Sequence, residues 1–311
     1  MLKAFLLIVV GLAGDPEHGM QFQKWGATLA EASEKLGVPR ERMVFLADKA
    51  GEGDARVSGH ATREEIDKAL AGFAKTAAPE DVVYVVLVGH GSFDGTNPKF
   101  NLPGPDMAPA EFNTMLRKIP ARNVVFVNTS SSSGPFVEGL SGPGRTIITA
   151  TRNGAEQFTT LFGGFFVEAF SAEGADADKN KRVSMLEAFQ YAKGEVTRAY
   201  EREGLLATEH AMLDDNGDKQ GSQDPSPTGK DGKLAAALSL GSAADAVPLP
   251  ADPKLRALYV ERRELERRVE ALRLLKDSMD PARYTGELET LVTDMARKTR
   301  EIRAIEGGPR P

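Results

Sequence analysis

Residues 81–95 read Asp-Val-Val-Tyr-Val-Val-Leu-Val-Gly-His-Gly-Ser-Phe-Asp-Gly. The unbroken β-branched and apolar run from Val82 to Val88 stops abruptly at Gly89-His90-Gly91. Such a run between turn residues predicts a strand buried on both faces. A histidine at the carboxyl end of a buried strand stands where open α/β sheets form their ligand crevice. Gly91 beside it lets backbone and ligand approach closely. The plainer reading is a capped strand end with an incidental histidine.

Outward from this strand, apolar runs alternate with amphipathic ones. Residues 3–10, 43–47, 123–127 and 146–151 read as further strands, and 11–20 as a loop. Residues 21–36 carry Phe22, Trp25, Leu29, Ala32 and Leu36 on one helical face, ended by Gly37. Thr62 and Glu65 form a capping box for a helix over 63–75. Residues 111–118, 159–171 and 185–202 are also expected to be helical. Strands alternating with helices predict a three-layer α/β/α sandwich with a mainly parallel sheet. The apolar start of the chain could be mistaken for a signal peptide. It runs into a Gly-rich turn rather than a small-x-small cleavage site, so a first buried strand is the better reading.

The 311 residues carry a net charge of −6 and no basic patch with interleaved aromatics, which argues against a nucleic-acid partner. No stretch is long enough to span a membrane. The absence of cysteine removes disulfides, thiolate metal sites and a cysteine nucleophile together.

The strand at 124–127 ends in Asn128-Thr129-Ser130-Ser131-Ser132-Ser133-Gly134, so two neighbouring strands end in Gly-His-Gly and in a hydroxyl-rich turn. Here the chain resembles the caspase–legumain clan of cysteine peptidases, most closely its legumain-like branch. In that clan one strand ends in His-Gly and a later one in Ala-Cys-x-Ser-Gly. His90-Gly91 matches the first motif, and Ser130 to Gly134 the second, with Ser131 where the cysteine would stand; a shift of one would put Ser130 there. Residues 144–151 are similar to the family's next strand, and the likeness covers residues 3–211.

The resemblance implies a caspase–haemoglobinase-like fold, His90 as acid/base, a nucleophile at Ser131, and backbone N–H groups near Gly91 as an oxyanion hole. A thiol is a few per cent thiolate near neutrality, whereas a serine hydroxyl needs a well-aligned base, itself usually oriented by a third group. No orienting carboxylate for His90 can be picked from the sequence. The favoured expectation is therefore a peptidase homologue without catalysis that binds a peptide or protein. The alternative is a serine-type hydrolase using Ser131 and His90.

Residues 176–187 resemble an EF-hand loop. Asp176, Asp178, Asn180 and Ser184 fall at positions one, three, five and nine, the Arg182 carbonyl at seven and Glu187 at twelve. Calcium is the expected ion, in a structural role. Lys181 replaces the usual glycine at position six and would need a left-handed backbone. Ser184 and Glu187 also read as a capping box for the next helix. Asp214-Asp215-Asn216-Gly217-Asp218 is a weaker metal loop and reads better as a solvated turn inside an irregular loop over 213–232. His18 and His60 are assigned to surface loops.

After Pro248-Leu249-Pro250 the composition shifts. Leu258, Leu265, Val269, Leu272 and Met279, then Leu288, Leu291, Met295, Ile302 and Ile305, sit at heptad-compatible steps on either side of Asp280-Pro281. This predicts a C-terminal helical hairpin with coiled-coil-like seams over 252–306, following a peptidase-type domain over 1–247. The hairpin could mediate self-association or fold back on the domain, as the helical C-terminal region of legumain-type enzymes does. The absence of cysteine and the calcium loop favour an exported protein over a cytoplasmic one.

Overall fold

All seven residues of Val82–Val88 are buried, as a strand with no polar face requires. The computed structural model describes residues 3–48, 54–241, 249–274, 276 and 279–306. Its strands are β1 (Ala4–Val10), β2 (Met43–Ala47), β3 (Val57–His60), β4 (Val82–Val88), β5 (Gly91–Phe93), β6 (Pro98–Phe100), β7 (Asn123–Asn128), β8 (Arg145–Thr149) and β9 (Met212–Asp214). Seven of them form one sheet in the order β3-β2-β1-β4-β7-β8-β9, and β5 and β6 make a separate hairpin. Every pairing in the large sheet is parallel except β8 with β9.

Side-chain alternation divides the core in two. Leu6, Ile8, Val10, Tyr84, Val86 and Val88 point to one face, where Phe22 and Leu29 of α1 (Pro16–Lys35) cover them. Phe162 and Phe166 of α5 (Phe162–Glu168) and Phe189 of α6 (Met185–Glu203) complete that layer. Phe5, Leu7, Val9, Val83, Val85 and Leu87 point the other way. They meet α2 (Arg63–Thr76), α3 (Pro109–Leu116) and α4 (Phe136–Leu140) through residues such as Leu70, Phe112 and Phe136. The expected three-layer α/β/α sandwich is what forms. A one-residue slip of β4 against β1, where Leu6 pairs Tyr84, would exchange its two faces, so the register is fixed by both cores. Asp81 anchors the entry to β4: its buried carboxylate accepts the N–H groups of Lys3 at 2.7 Å and Ala78 at 2.8 Å.

Helix α1 begins earlier than its apolar periodicity indicates. Residues 16–20 are helical rather than loop, because the Asp15 side chain accepts the His18 N–H at 2.9 Å and Pro16 occupies the first turn. His18 thus sits on a helix, and His60 ends β3. At Gly26 a Cβ would lie 2.7 Å from Val10 Cγ2 and 2.8 Å from Phe45 Cζ, so glycine lets the helix settle onto the sheet.

The chain runs β1, β2, β3 outward on one side of β1, then returns to β4 and proceeds through β7 and β8 on the other. Strand order therefore reverses between β1 and β4, and the carboxyl ends of these two strands and of β7 define the ligand crevice of such a sheet. The C-terminal helices Pro253–Leu274 and Pro281–Glu306 form an antiparallel pair. Val269, Leu272 and Leu291 are buried between them, and Lys298 Nζ meets Glu261 Oε2 at 2.6 Å. The expected end of the domain at 247 falls within residues 242–248, outside the described residues.

Candidate active site in the sheet crevice

His90 follows β4 directly and Ser130 to Ser133 follow β7, so parallel pairing of the two strands brings both motifs to one crevice. Gly91 opens β5 against the serine turn. A Cβ there would collide with the Ser131 carbonyl and lie 2.7 Å from Ser130 Oγ, so only glycine fits.

The His90 ring is partly buried and packs edge-on against Phe22 and His18, with centroids 5.1 Å away in each case. Burial, and then the neighbouring His18, lowers its pKa below the usual 6.5, while a hydrogen bond with the Ala13 backbone and the Asp15 charge oppose the shift. His18 Nδ1 lies 2.6 Å from Asp15 Oδ2. The ring is thus oriented by the Ala13 backbone and by aromatic packing, and near neutrality it holds its uncharged, base-competent form.

The hydroxyls face elsewhere. Ser131 Oγ donates to the Gly91 carbonyl at 3.1 Å and accepts the Gly91 N–H at 3.3 Å. Ser130 Oγ donates to Asn128 Oδ1 at 2.7 Å. A serine has one hydroxyl proton to give, so while these bonds last neither can donate to His90. Among the described residues no hydrogen bond joins the His90 ring to either serine. Ser131 is only 3% exposed and Ser130 is wholly buried. The Gly91 N–H, implied as an oxyanion donor, is the one that Ser131 occupies.

The rest of the turn is equally committed. Ser132 holds a left-handed backbone (φ 55°) through its N–H to the Glu156 carbonyl at 2.8 Å and its hydroxyl to the Gly154 carbonyl at 2.9 Å. Ser133 Oγ accepts the N–H groups of Ala150 at 3.1 Å and Thr151 at 3.2 Å. The loop after β8 is tied in turn to residues far along the chain. His210 Nδ1 lies 2.7 Å from Glu156 Oε1. Glu209, 4% exposed, accepts the N–H groups of Leu161 at 2.7 Å and Phe162 at 3.1 Å, and its burial raises its pKa. The sequence reading named none of His18, Asp15, Glu156, Glu209 and His210 as part of the site. Asp15-Pro16 was the one local signal, and it points to the cap that places His18.

In the acidic loop the donor oxygens of Asp176, Asp178 and Glu187 come within 4.8 Å of one another. Lys181 is left-handed (φ 67°), the conformation expected of the EF-hand glycine position. Asp176 accepts the N–H groups of Asn180 and Lys181, at 3.0 and 2.8 Å, and the Arg182 N–H donates to Asn180 Oδ1 at 2.9 Å. The Glu187 carboxylate accepts the N–H groups of Ala177 and Asp178, and both the N–H and the hydroxyl of Ser184. Those four donors fill its usual lone-pair positions. The turn around Asn216-Gly217 is solvated as expected, with Asn216 and Asp218 exposed, whereas Asp214 and Asp215 just before it are 1% and 9% exposed.

Residues 66–215 match the Peptidase C13 family. Among solved structures, the chain is similar to a protein from Geobacter sulfurreducens (15% identity, TM-score 0.43, covering 68% of this chain and 92% of that one). It is also similar to the Drosophila initiator caspase Dronc (10% identity, TM-score 0.46, covering 70% and 81%). No curated protein matches it. The fold is an α/β/α sandwich on a mainly parallel seven-stranded sheet, followed by C-terminal helices. The stretch that matches the Peptidase C13 family carries both His90 and Ser131, and the chain has no cysteine to serve as that family's nucleophile.

Proposed function

We propose that this chain is a non-catalytic legumain-type homologue that binds an extended peptide or protein segment in the crevice at the carboxyl ends of β1, β4 and β7. One observation carries the reading: the Ser131 hydroxyl, where the family has its thiol, is buried and held by both polar groups of the Gly91 backbone. Activation would require the hydroxyl to leave the Gly91 carbonyl before His90 could take its proton. The loops leaving β1 and β8 and the start of α1 add exposed apolar side chains. Leu12, Met20, Phe158 and Leu161 supply the apolar contact that peptide binding uses.

Trp25 is the chain's one tryptophan and packs 5.5 Å from Phe22, which in turn packs on His90. Its fluorescence is therefore a reporter for the crevice. Titration with a random octapeptide mixture is expected to change it saturably, and a fluorophosphonate probe is expected to leave the protein unlabelled. Labelling that Ser131→Ala and His90→Ala both abolish would replace this reading with the serine hydrolase. That second reading draws on the neutral, backbone-oriented His90.

Calcium at residues 176–187 belongs to the same proposal, as a structural ion. It is supported by the convergence of the three carboxylates and the left-handed Lys181, while Glu187 would have to release hydrogen-bond donors to coordinate it. Calorimetric titration of the wild type beside Asp176→Asn tests it. Self-association through the C-terminal helices is supported by exposed Val260, Val292 and Ile305. Light scattering reads it directly, and a monomer at high concentration would exclude it.

A further inference from the structure

A second acidic site lies away from the crevice, at the edge of the sheet. Asp214 ends β9 opposite Ile147 of β8, and Asp231 lies just before α7 (Lys233–Ala237). Asp214, Asp215 and Asp231 are 1%, 9% and 5% exposed. Buried carboxylates are normally paired with a cation or bound to a metal. Among the described residues no ion pair joins any of the three to a lysine or arginine.

Their hydrogen bonds separate the roles. Asp215 is a backbone clamp: one oxygen accepts the Gly232 N–H and the other the Ala235 N–H, both at 2.8 Å, tying the loop to the start of α7. Asp231 Oδ1 accepts the Asp215 N–H at 3.1 Å. Asp214 Oδ1 accepts the Gly217 N–H at 3.1 Å, but Asp214 Oδ2 is buried with no hydrogen-bond partner. A buried polar atom without a partner is costly and calls for an explanation. The charges of Asp214, Asp215 and Asp218 all bear on Asp231, whose carboxyl is pushed up to about 6, chiefly by burial. The cluster therefore works against itself as long as nothing positive joins it.

We propose that Asp214 and Asp231 hold a hard divalent cation, calcium by its chemistry, beneath the β8–β9 edge. The available donors are oxygens only, with no histidine or cysteine in the cluster, which selects a hard ion. Calcium accepts irregular donor geometry where magnesium demands a near-ideal octahedron, so an irregular loop suits calcium better. The contrast with residues 176–187 is in the lone pairs. There the Glu187 carboxylate is already filled by protein donors, whereas Asp214 has a buried oxygen that meets none. The ion would fasten the loop over 215–232 to the sheet edge, just where β9 adds the one antiparallel strand.

The experiment uses the full chain, stripped with EDTA and melted with and without calcium chloride, as wild type, Asp231→Asn, Asp214→Asn and Asp176→Asn. Calcium is expected to raise the melting temperature of the wild type and of Asp176→Asn. That rise should vanish in Asp231→Asn, with at least a tenfold loss of calcium affinity by calorimetry. If Asp214→Asn does not fold, Asp231→Asn decides alone, since it keeps every backbone bond of the Asp215 clamp. The proposal falls if the wild type ignores calcium, if Asp231→Asn keeps the full response, or if Asp176→Asn alone removes it. A wild type insensitive to calcium that Asp231→Asn stabilises in EDTA would mean that a proton, not a metal, relieves the cluster.

Discussion

Ser131 and Gly91 hold each other by a reciprocal pair of hydrogen bonds: the hydroxyl gives its proton to the Gly91 carbonyl at 3.1 Å and accepts the Gly91 N–H at 3.3 Å. This pair connects the end of β7 to the start of β5, so the serine that aligns with the family's cysteine motif acts as a brace. Ser131→Ala is expected to destabilise the protein by about 1–2 kcal/mol, because it strips both backbone groups of their partner. Urea unfolding of wild type and variant reads the difference. An unchanged midpoint would mean that the brace contributes nothing and the hydroxyl is free for other work.

Gly91→Ala should be worse. Its Cβ would collide with the Ser131 carbonyl and press on Ser130 Oγ, so β5 would have to move and the brace with it. Overpacking of this kind costs about 1–3 kcal/mol. Thermal melting is expected to fall, with faster amide exchange at residues 130–134. Normal exchange there would show that the hairpin can shift away without loss.

The His90 pKa gives a pH dependence of definite sign. In the fold, burial and then His18 hold the ring below its ordinary 6.5. The unfolded chain therefore binds a proton that the folded chain refuses, and stability is lost as pH falls from 6.5 through the folded value and is retained above 6.5. Two-dimensional NMR of the ring should show a midpoint below 6.5. His18→Asn should move it upward by removing the like charge. A midpoint unmoved by His18→Asn would leave burial as the sole cause.

How far the sequence carries this reading depends on the range over which each signal acts. The strands bearing His90 and the serine turn were legible because Val82–Val88 and residues 124–127 are uninterrupted apolar runs ending at Gly or at hydroxyls. So was the sandwich, which follows from their alternation with amphipathic helices. The short β3 and β9 have too few residues for a period to show, and β9 lay inside a stretch read as loop. The packing of His18 on His90 depended on where α1 starts, which Asp15-Pro16 decides and apolar spacing does not. The bracing of Ser131 by Gly91 spans 40 positions, and no local pattern records which way a hydroxyl proton points.

Another of these hidden connections carries the last prediction. Glu209 reaches back 48 and 47 residues to accept the N–H groups of Leu161 and Phe162, the otherwise unpaired donors at the start of α5. Burial raises its pKa, so the folded state favours the protonated acid more than the unfolded chain does. Its ionisation therefore opposes folding: the stability it contributes is largest at low pH and declines as pH rises through the unfolded value near 4.5 towards the folded one. Glu209→Gln should keep a carbonyl acceptor for α5 and flatten that slope. Glu209→Ala should leave the Leu161 and Phe162 N–H groups unpaired and cost about 2–6 kcal/mol, at roughly 1–3 for each. Unfolding midpoints measured across pH for the three proteins separate the two effects. If Glu209→Gln were as damaging as Glu209→Ala at pH 7, the negative charge at the helix start would be what matters, and the capping geometry would be secondary.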